Sequence, residues 1–299
     1  LARFTCCSFL AGKAKNINTL NQSNMIRIPF YQINAFTNRD FGGNPAGVCP
    51  LTEWLPTPIL QKIALENAVA ETAFFIPSTE PGVYDLRWFT PEIEMDLCGH
   101  ATLATAHVLF HHMGFSGNSI RFNSASGPLT VTKIGDQLVL DFPSRPPVPA
   151  VLPDIILEGI GLAPSEVLKA RDYVLVYEHE AQIRNLQPNI QLLNQINLDP
   201  GGIIVTAPGD EADFVSRFFT PQALIFEDPV TGSAHCSLIP YWSKRLQKTE
   251  LLANQISARL GRLQCSLQGD RVRIGGNSQT YMEGFIYLNQ PSHGITSSH

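Results

Sequence analysis

The sequence lacks most of the features that would place a protein quickly, and each gap excludes something. No stretch approaches the roughly 20 apolar residues that a membrane-spanning helix needs. No run of Lys and Arg marks a nucleic-acid footprint, and a formal net charge of -5 points the other way. Neither a membrane nor a nucleic-acid partner is expected. The cysteines, at 6, 7, 49, 98, 236 and 265, form no CxxC pair and no regular framework. They read as reduced thiols in a cytoplasmic protein without a secretory signal. Gly42-Gly43 and Gly201-Gly202 fit neither the dinucleotide fingerprint nor the P-loop. What is present is core material: 44% of residues are hydrophobic and only 16% charged, so a packed globular fold is expected.

Residues 1–24 are expected to stand apart from that fold, as a leader or appended tail without fixed structure. They carry Arg3, Lys13 and Lys15 and no acidic residue, a composition shared with transit peptides. Met25 directly precedes Ile26-Arg27-Ile28-Pro29-Phe30, which reads as a first strand.

The most informative feature is a repeat. Arg87-Trp88-Phe89-Thr90-Pro91 recurs as Arg217-Phe218-Phe219-Thr220-Pro221, and each copy leads to a Gly-x-Ala step, Gly99-His100-Ala101 and Gly232-Ser233-Ala234. Each step opens an apolar, helix-like run. The spacing predicts helices over 58–69, 101–113, 154–160 and 233–245. It predicts strands over 71–76, 85–89, 129–133, 137–142, 174–177, 202–206, 214–219, 264–267, 271–274 and 283–288. Phe41 to Gly47 reads as a turn-rich loop, and the prolines of 143–153 as a linker or edge segment. The 101–113 helix has almost no polar face, so it is expected to be buried on all sides. The expected fold class is α+β: two pseudo-symmetric halves, each a mixed sheet or barrel around one central helix. The boundaries are expected at 25–125 and 126–280, with the C-terminal strand 281–289 offering to complete the first half.

The halves differ where chemistry is expected. Aligned on Gly99 and Gly232, Cys98 faces Thr231 and His100 faces Ser233. Counting back from Pro77 and Pro208 sets Glu71 against Gly202. A two-base racemase needs one proton acceptor per half, and a threonine hydroxyl is too weak an acid for the second. Cys236 is out of register. A lone carboxylate at Glu71 suits proton transfer within one molecule, an isomerisation. Gly99 and Gly232 each begin a helix, and two such N-termini at one cleft would grip a substrate carboxylate. His107, His111 and His112 invite a metal reading, but no carboxylate or cysteine stands at fitting positions, so no metal is expected.

Phe41-Gly-Gly-Asn-Pro-Ala-Gly47, Glu71-Thr-Ala-Phe74, Arg87-Trp-Phe-Thr-Pro91, Leu97-Cys-Gly-His-Ala-Thr102 and Glu227-Asp-Pro-Val-Thr-Gly-Ser-Ala234, in this order, resemble the PhzF (phenazine biosynthesis-like) family from about Met25 to Leu288. The resemblance implies the diaminopimelate-epimerase-like fold and a cofactor-independent isomerase, usually a homodimer, acting on a small anionic metabolite between its halves. It implies Glu71 as acid/base, with His100, Asp228 and Ser233 as the other catalytic polar residues. Asn44, Gly99, Gly232 and Thr231 are read as substrate-binding. Two positions depart from the family pattern, Ala70 for a serine and Leu260 for a glycine. Two other readings stay open: an epimerase using Cys98, and a non-catalytic binding or scaffold protein that kept the fold.

Overall fold

The computed structural model describes residues 25–198 and 201–289; the leader expected over 1–24 lies outside the described residues. In chain order, the first part contains β1 (Met25–Ala35), β2 (Asn44–Pro50), α1 (Thr57–Asn67), β3 (Glu71–Pro77), β4 (Val83–Phe89), β5 (Glu94–Met95), α2 (Gly99–His111), β6 (Ser119–Ser124), β7 (Gly127–Ile134) and β8 (Gln137–Pro143). Then come β9 (Val148–Pro149), α3 (Asp154–Ile160), β10 (Glu166–Lys169), β11 (Tyr173–Val176), α4 (Glu180–Asn185), α5 (Ile190–Leu193) and β12 (Ile203–Pro208). The chain continues through β13 (Phe214–Phe219), α6 (Gly232–Leu246), β14 (Glu250–Gln255), β15 (Gly261–Gln268), β16 (Arg271–Gly276) and β17 (Ser278–Asn289).

The strands pair in one unbroken path that reads the same from either end. From one side it runs β17-β1-β2-β3-β4-β6-β7-β8, and from the other β9-β10-β11-β12-β13-β14-β15-β16. The parallel pairs fall at matching places: β2–β3 against β11–β12, and β4–β6 against β13–β14. The two runs meet antiparallel at β8 and β16, with Leu140 opposite Ile274. Each run wraps a helix, α2 in one and α6 in the other. Every residue of α2 from Gly99 to Leu109 is buried, as its all-round apolar pattern requires.

Three details differ from the sequence reading. Residues 129–133 and 137–142 are read with the second half, yet β7 and β8 continue the ladder of β6 and pack on α2. The repeat is invisible there because only the pairing, not the side chains, is duplicated. Asn44–Gly47, read as part of a loop, belongs to strand β2; its proline and glycine resemble a turn, but Ala46 to Cys49 are all buried, Ala46 and Val48 in one core cluster and Cys49 in another. The C-terminal strand starts earlier than residue 281 and lies along the whole of β1.

The arginines of the repeat explain its spacing. Arg87 makes a two-pronged ion pair with Glu94, at 2.7 Å for both contacts, and Arg217 does the same with Glu227 at 2.7 and 2.9 Å. Each pins the loop after Thr-Pro back onto its strand. The three extra residues of the second copy therefore fall within 221–226, before Glu227.

Candidate active site

Between the halves lies a cleft of about 510 Å3. Its floor is the meeting of α2 and α6 at their N-terminal ends. A methyl group built on Gly99 would stand 3.3 Å from Gly232 Cα, so the two helices approach backbone to backbone. Neither helix is capped by a side chain: Cys98 is a non-capping residue, and the hydroxyl of Thr231 turns away to Asp228 Oδ2 at 2.5 Å. The first-turn N–H groups of both helices are thus left facing the cleft, with the positive ends of their dipoles.

The ladder registers confirm the asymmetry between the halves. Thr72 pairs with Phe89 as Ile203 pairs with Phe219, which sets Glu71 against Gly202. A side chain at 202 has no room, since its Cβ would stand 2.5 Å from the Phe218 ring and 2.7 Å from the Phe219 carbonyl. On the occupied side, Glu71 Oε2 lies 3.0 Å from His100 Nε2, and neither atom has another well-directed partner. Burial pulls the imidazole pKa down, but the adjacent Cys98 and Glu71 outweigh it, and the net is a rise well above the ordinary histidine value.

Behind His100 stands Asn44. Its Nδ2 donates to Asp228 Oδ1 at 2.7 Å and to Val230 O at 3.0 Å, and it lies 3.1 Å from His100 Nδ1. A proton on His100 Nε2 faces Glu71. Asn44, expected to contact substrate, is wholly buried and is not among the residues that line the cleft; its amide bonds to Asp228 and sits against His100. Asp228 is pushed up to about 6 by burial, assisted by the Glu71 charge and opposed by His100, Thr231 and Asn44. Thr231 does line the cleft, but its hydroxyl is committed to Asp228 and to Gln255 Nε2. Gln255 also accepts the Thr231 N–H and donates to Asp228 O, which fixes the turn that carries Asp228.

Glu71, Gly99, His100, Asp228, Thr231, Gly232 and Ser233 all line the one cleft. Ser233 does not cap α6; it lies inside the first turn, and its Oγ accepts from Arg171 Nη2 at 3.3 Å. Arg171 also lines the cleft, and no motif pointed to it. It lies outside every repeated string, and only the pairing of β11 with β12 brings it to Gly202. Cys98 is buried, and desolvation, then the Glu71 charge, push its thiol up.

Glu71, Cys98 and His100 bring possible metal-ligand atoms within 4.8 Å of one another. The thiol, however, faces His100 Nδ1 at 3.6 Å while the carboxylate faces Nε2. His107 has both ring nitrogens bonded, to Ser278 and Thr280 hydroxyls.

Two sheet-wrapped helices meeting at their N-termini define the epimerase-like fold, and the relatives of the chain place it among the isomerases. The chain belongs to the phenazine biosynthesis-like (PhzC-PhzF) family, whose model matches residues 33–284. It is 48% identical over 263 residues to a Pseudomonas aeruginosa protein named as an uncharacterized isomerase, covering 88% of this chain and 100% of that one. It matches the crystal structure of a PhzF-family protein from Enterococcus faecalis with TM-score 0.83 and 45% identity, over 88% of this chain and 100% of that chain. A hydroxyproline epimerase from Agrobacterium vitis shares the fold alone, at TM-score 0.57 and 10% identity, over 89% and 94% of the two chains. Among the described residues, no helix is long and apolar enough to cross a membrane.

Proposed function

We propose that this isomerase moves a proton within a small carboxylate-bearing metabolite, with Glu71 as the single acid/base. The observation that carries the reading is the pairing of Glu71 with His100 on one side of the cleft, opposite a glycine with no space for a second base. Glu71 takes an acidic C–H proton. The uncapped N-termini of α2 and α6 stabilise the negative charge that develops on the substrate. Glu71 then returns the proton to another atom on the same face. His100 holds the carboxylate in place and shares its proton through Nε2. Asp228, whose elevated pKa keeps it near its titration point around neutral pH, is suited to donate to a substrate heteroatom. These protein groups suffice for acid, base and charge stabilisation without a cofactor. A homodimer in the cytoplasm is the assembly and location that accompany this reading.

The test is deuterium uptake from D2O into a panel of small carboxylates. Glu71→Gln is expected to slow exchange by about 10^2–10^4-fold, and Cys98→Ala to leave it within a few fold. Loss of exchange on Cys98→Ala with retention in Glu71→Gln would replace this reading by the cysteine epimerase. Absence of exchange by the wild type across the panel, with ligands bound, would favour a binding protein.

A further inference from the structure

We propose that Arg171 is the residue that binds the substrate's carboxylate, and that it does so in the half from which the second acid is missing. This inference rests on the isomerase reading of the cleft and names the chemical class of its ligand.

The argument begins with charge. The cleft is lined by the carboxylates of Glu71, Glu92, Glu94, Asp96 and Asp228. Among the described residues, Arg171 is the one Lys or Arg side chain on that lining. Besides the helix ends and the His100 ring, this guanidinium is the positive charge that an anion entering such a cleft meets.

The second step is register. Tyr173 pairs with Ile203 in parallel, as Ala46 pairs with Glu71 in the first half. Extending each ladder by symmetry sets Asp172 beside Gly202 where Ala46 stands beside Glu71. Arg171 is the next residue, so it enters the cleft alongside the position that holds the acid in the other half. The steric block at Gly202 and the cation at Arg171 belong together. One half carries a base, and the other carries an anchor for the anion that the base acts on.

The third step is preorganisation. Asp172 is almost fully buried, and its Oδ1 accepts from Gly202 N at 2.8 Å while facing Arg171 Nε at 3.4 Å. Burial pushes that carboxyl up, against the pull of Arg171. The guanidinium is thus held from behind at Nε, and its Nη2 reaches Ser233 Oγ in the first turn of α6. The donors on this outer edge, together with the free N–H groups of α6, present the planar fork that a carboxylate accepts. Among the described residues, the protein acceptors of this side chain are Asp172 Oδ1 and Ser233 Oγ, which leaves the remaining guanidinium N–H groups for a ligand.

The test compares acetate, succinate and benzoate with their primary amides, titrated by ligand-observed NMR against wild type, Arg171→Gln, Arg171→Lys and Glu71→Gln. The wild type is expected to prefer each carboxylate that binds over its amide. Arg171→Gln should lose about tenfold or more of carboxylate affinity with amide affinity unchanged, which also reports that the cleft is intact. Arg171→Lys should recover part of the loss, because the charge returns without the fork. Equal carboxylate affinity in wild type and Arg171→Gln overturns the proposal, as does a wild type that binds no carboxylate better than its amide. Glu71→Gln separates the two readings. If it keeps the carboxylate preference yet exchanges deuterium like wild type, the acid/base assignment fails and the anchor stands.

Discussion

At the scale of single residues, the site is a set of buried groups whose protonation states are set by one another. Asp228 is the one whose titration can be read as stability. The folded protein holds its proton up to about pH 6, whereas the ordinary aspartate value is 3.8. A carboxyl whose pKa is raised by folding contributes stability that is fully present below the unfolded value and lost as pH rises through the folded one. Between pH 4 and pH 7 the wild type should therefore lose about 2–3 kcal/mol from this group. Asp228→Asn has nothing to titrate there. Its stability relative to wild type should improve by about that amount over the same interval, measured as the difference in urea midpoints at the two pH values. Parallel pH curves for the two proteins would show that Asp228 is ionised throughout.

At the scale of elements, the strand β12 shows how backbone space decides chemistry. Gly202 precedes it, and a methyl group there would overlap the Phe218 ring and the Phe219 carbonyl of β13. Gly202→Ala should destabilise the protein by about 1–3 kcal/mol. Gly284 in β17 is the contrast: a methyl there meets nothing within 4 Å, so Gly284→Ala should be neutral or slightly stabilising. Guanidinium denaturation of the two variants checks both, and a neutral Gly202→Ala would mean that β13 can give way. The same scale shows what was legible beforehand. The apolar helices α2 and α6 and the strands ending in Pro77 and Pro208 were readable because their burial leaves sustained apolar runs. β6 and β14 were not, since half or more of the residues in Ser119–Ser124 and Glu250–Gln255 are polar. Glu71 and Gly202 could be aligned by counting because each sits at a fixed step before a proline. Arg171 could not, because its place depends on a parallel pairing that leaves no mark in the side chains. Asn44 was recognisable as a site residue but not as a buried one, since burial behind His100 is a tertiary fact.

At the scale of the molecule, a doubled fold raises the question whether its halves unfold separately. They share more than a linker. β8 and β16 form one ladder across the junction, α2 and α6 touch through Gly99 and Gly232, and the largest core cluster contains residues from both helices. Arg259 adds bonds from the second half to Gly42 O, Gly43 O and Asn34 in the first. Exposing either half alone would uncover the inner faces of these contacts, so a half-folded state gains chain entropy but loses burial on both sides. Unfolding is therefore expected as a single transition. The tryptophans permit a direct check, because Trp88 and Trp242 are fully buried in different halves, Trp242 stacked on Phe214. Replacing Trp54 and Trp242 by phenylalanine leaves Trp88 to report on the first half; replacing Trp54 and Trp88 leaves Trp242 to report on the second. Each variant carries its own control, far-ultraviolet circular dichroism, which follows the whole chain. In both, the fluorescence and dichroism midpoints should coincide in urea. A Trp88 signal that leads or trails the dichroism of its own variant would mean that the shared ladder at β8 and β16 is too weak to couple the halves, so that one half unfolds while the other keeps its central helix.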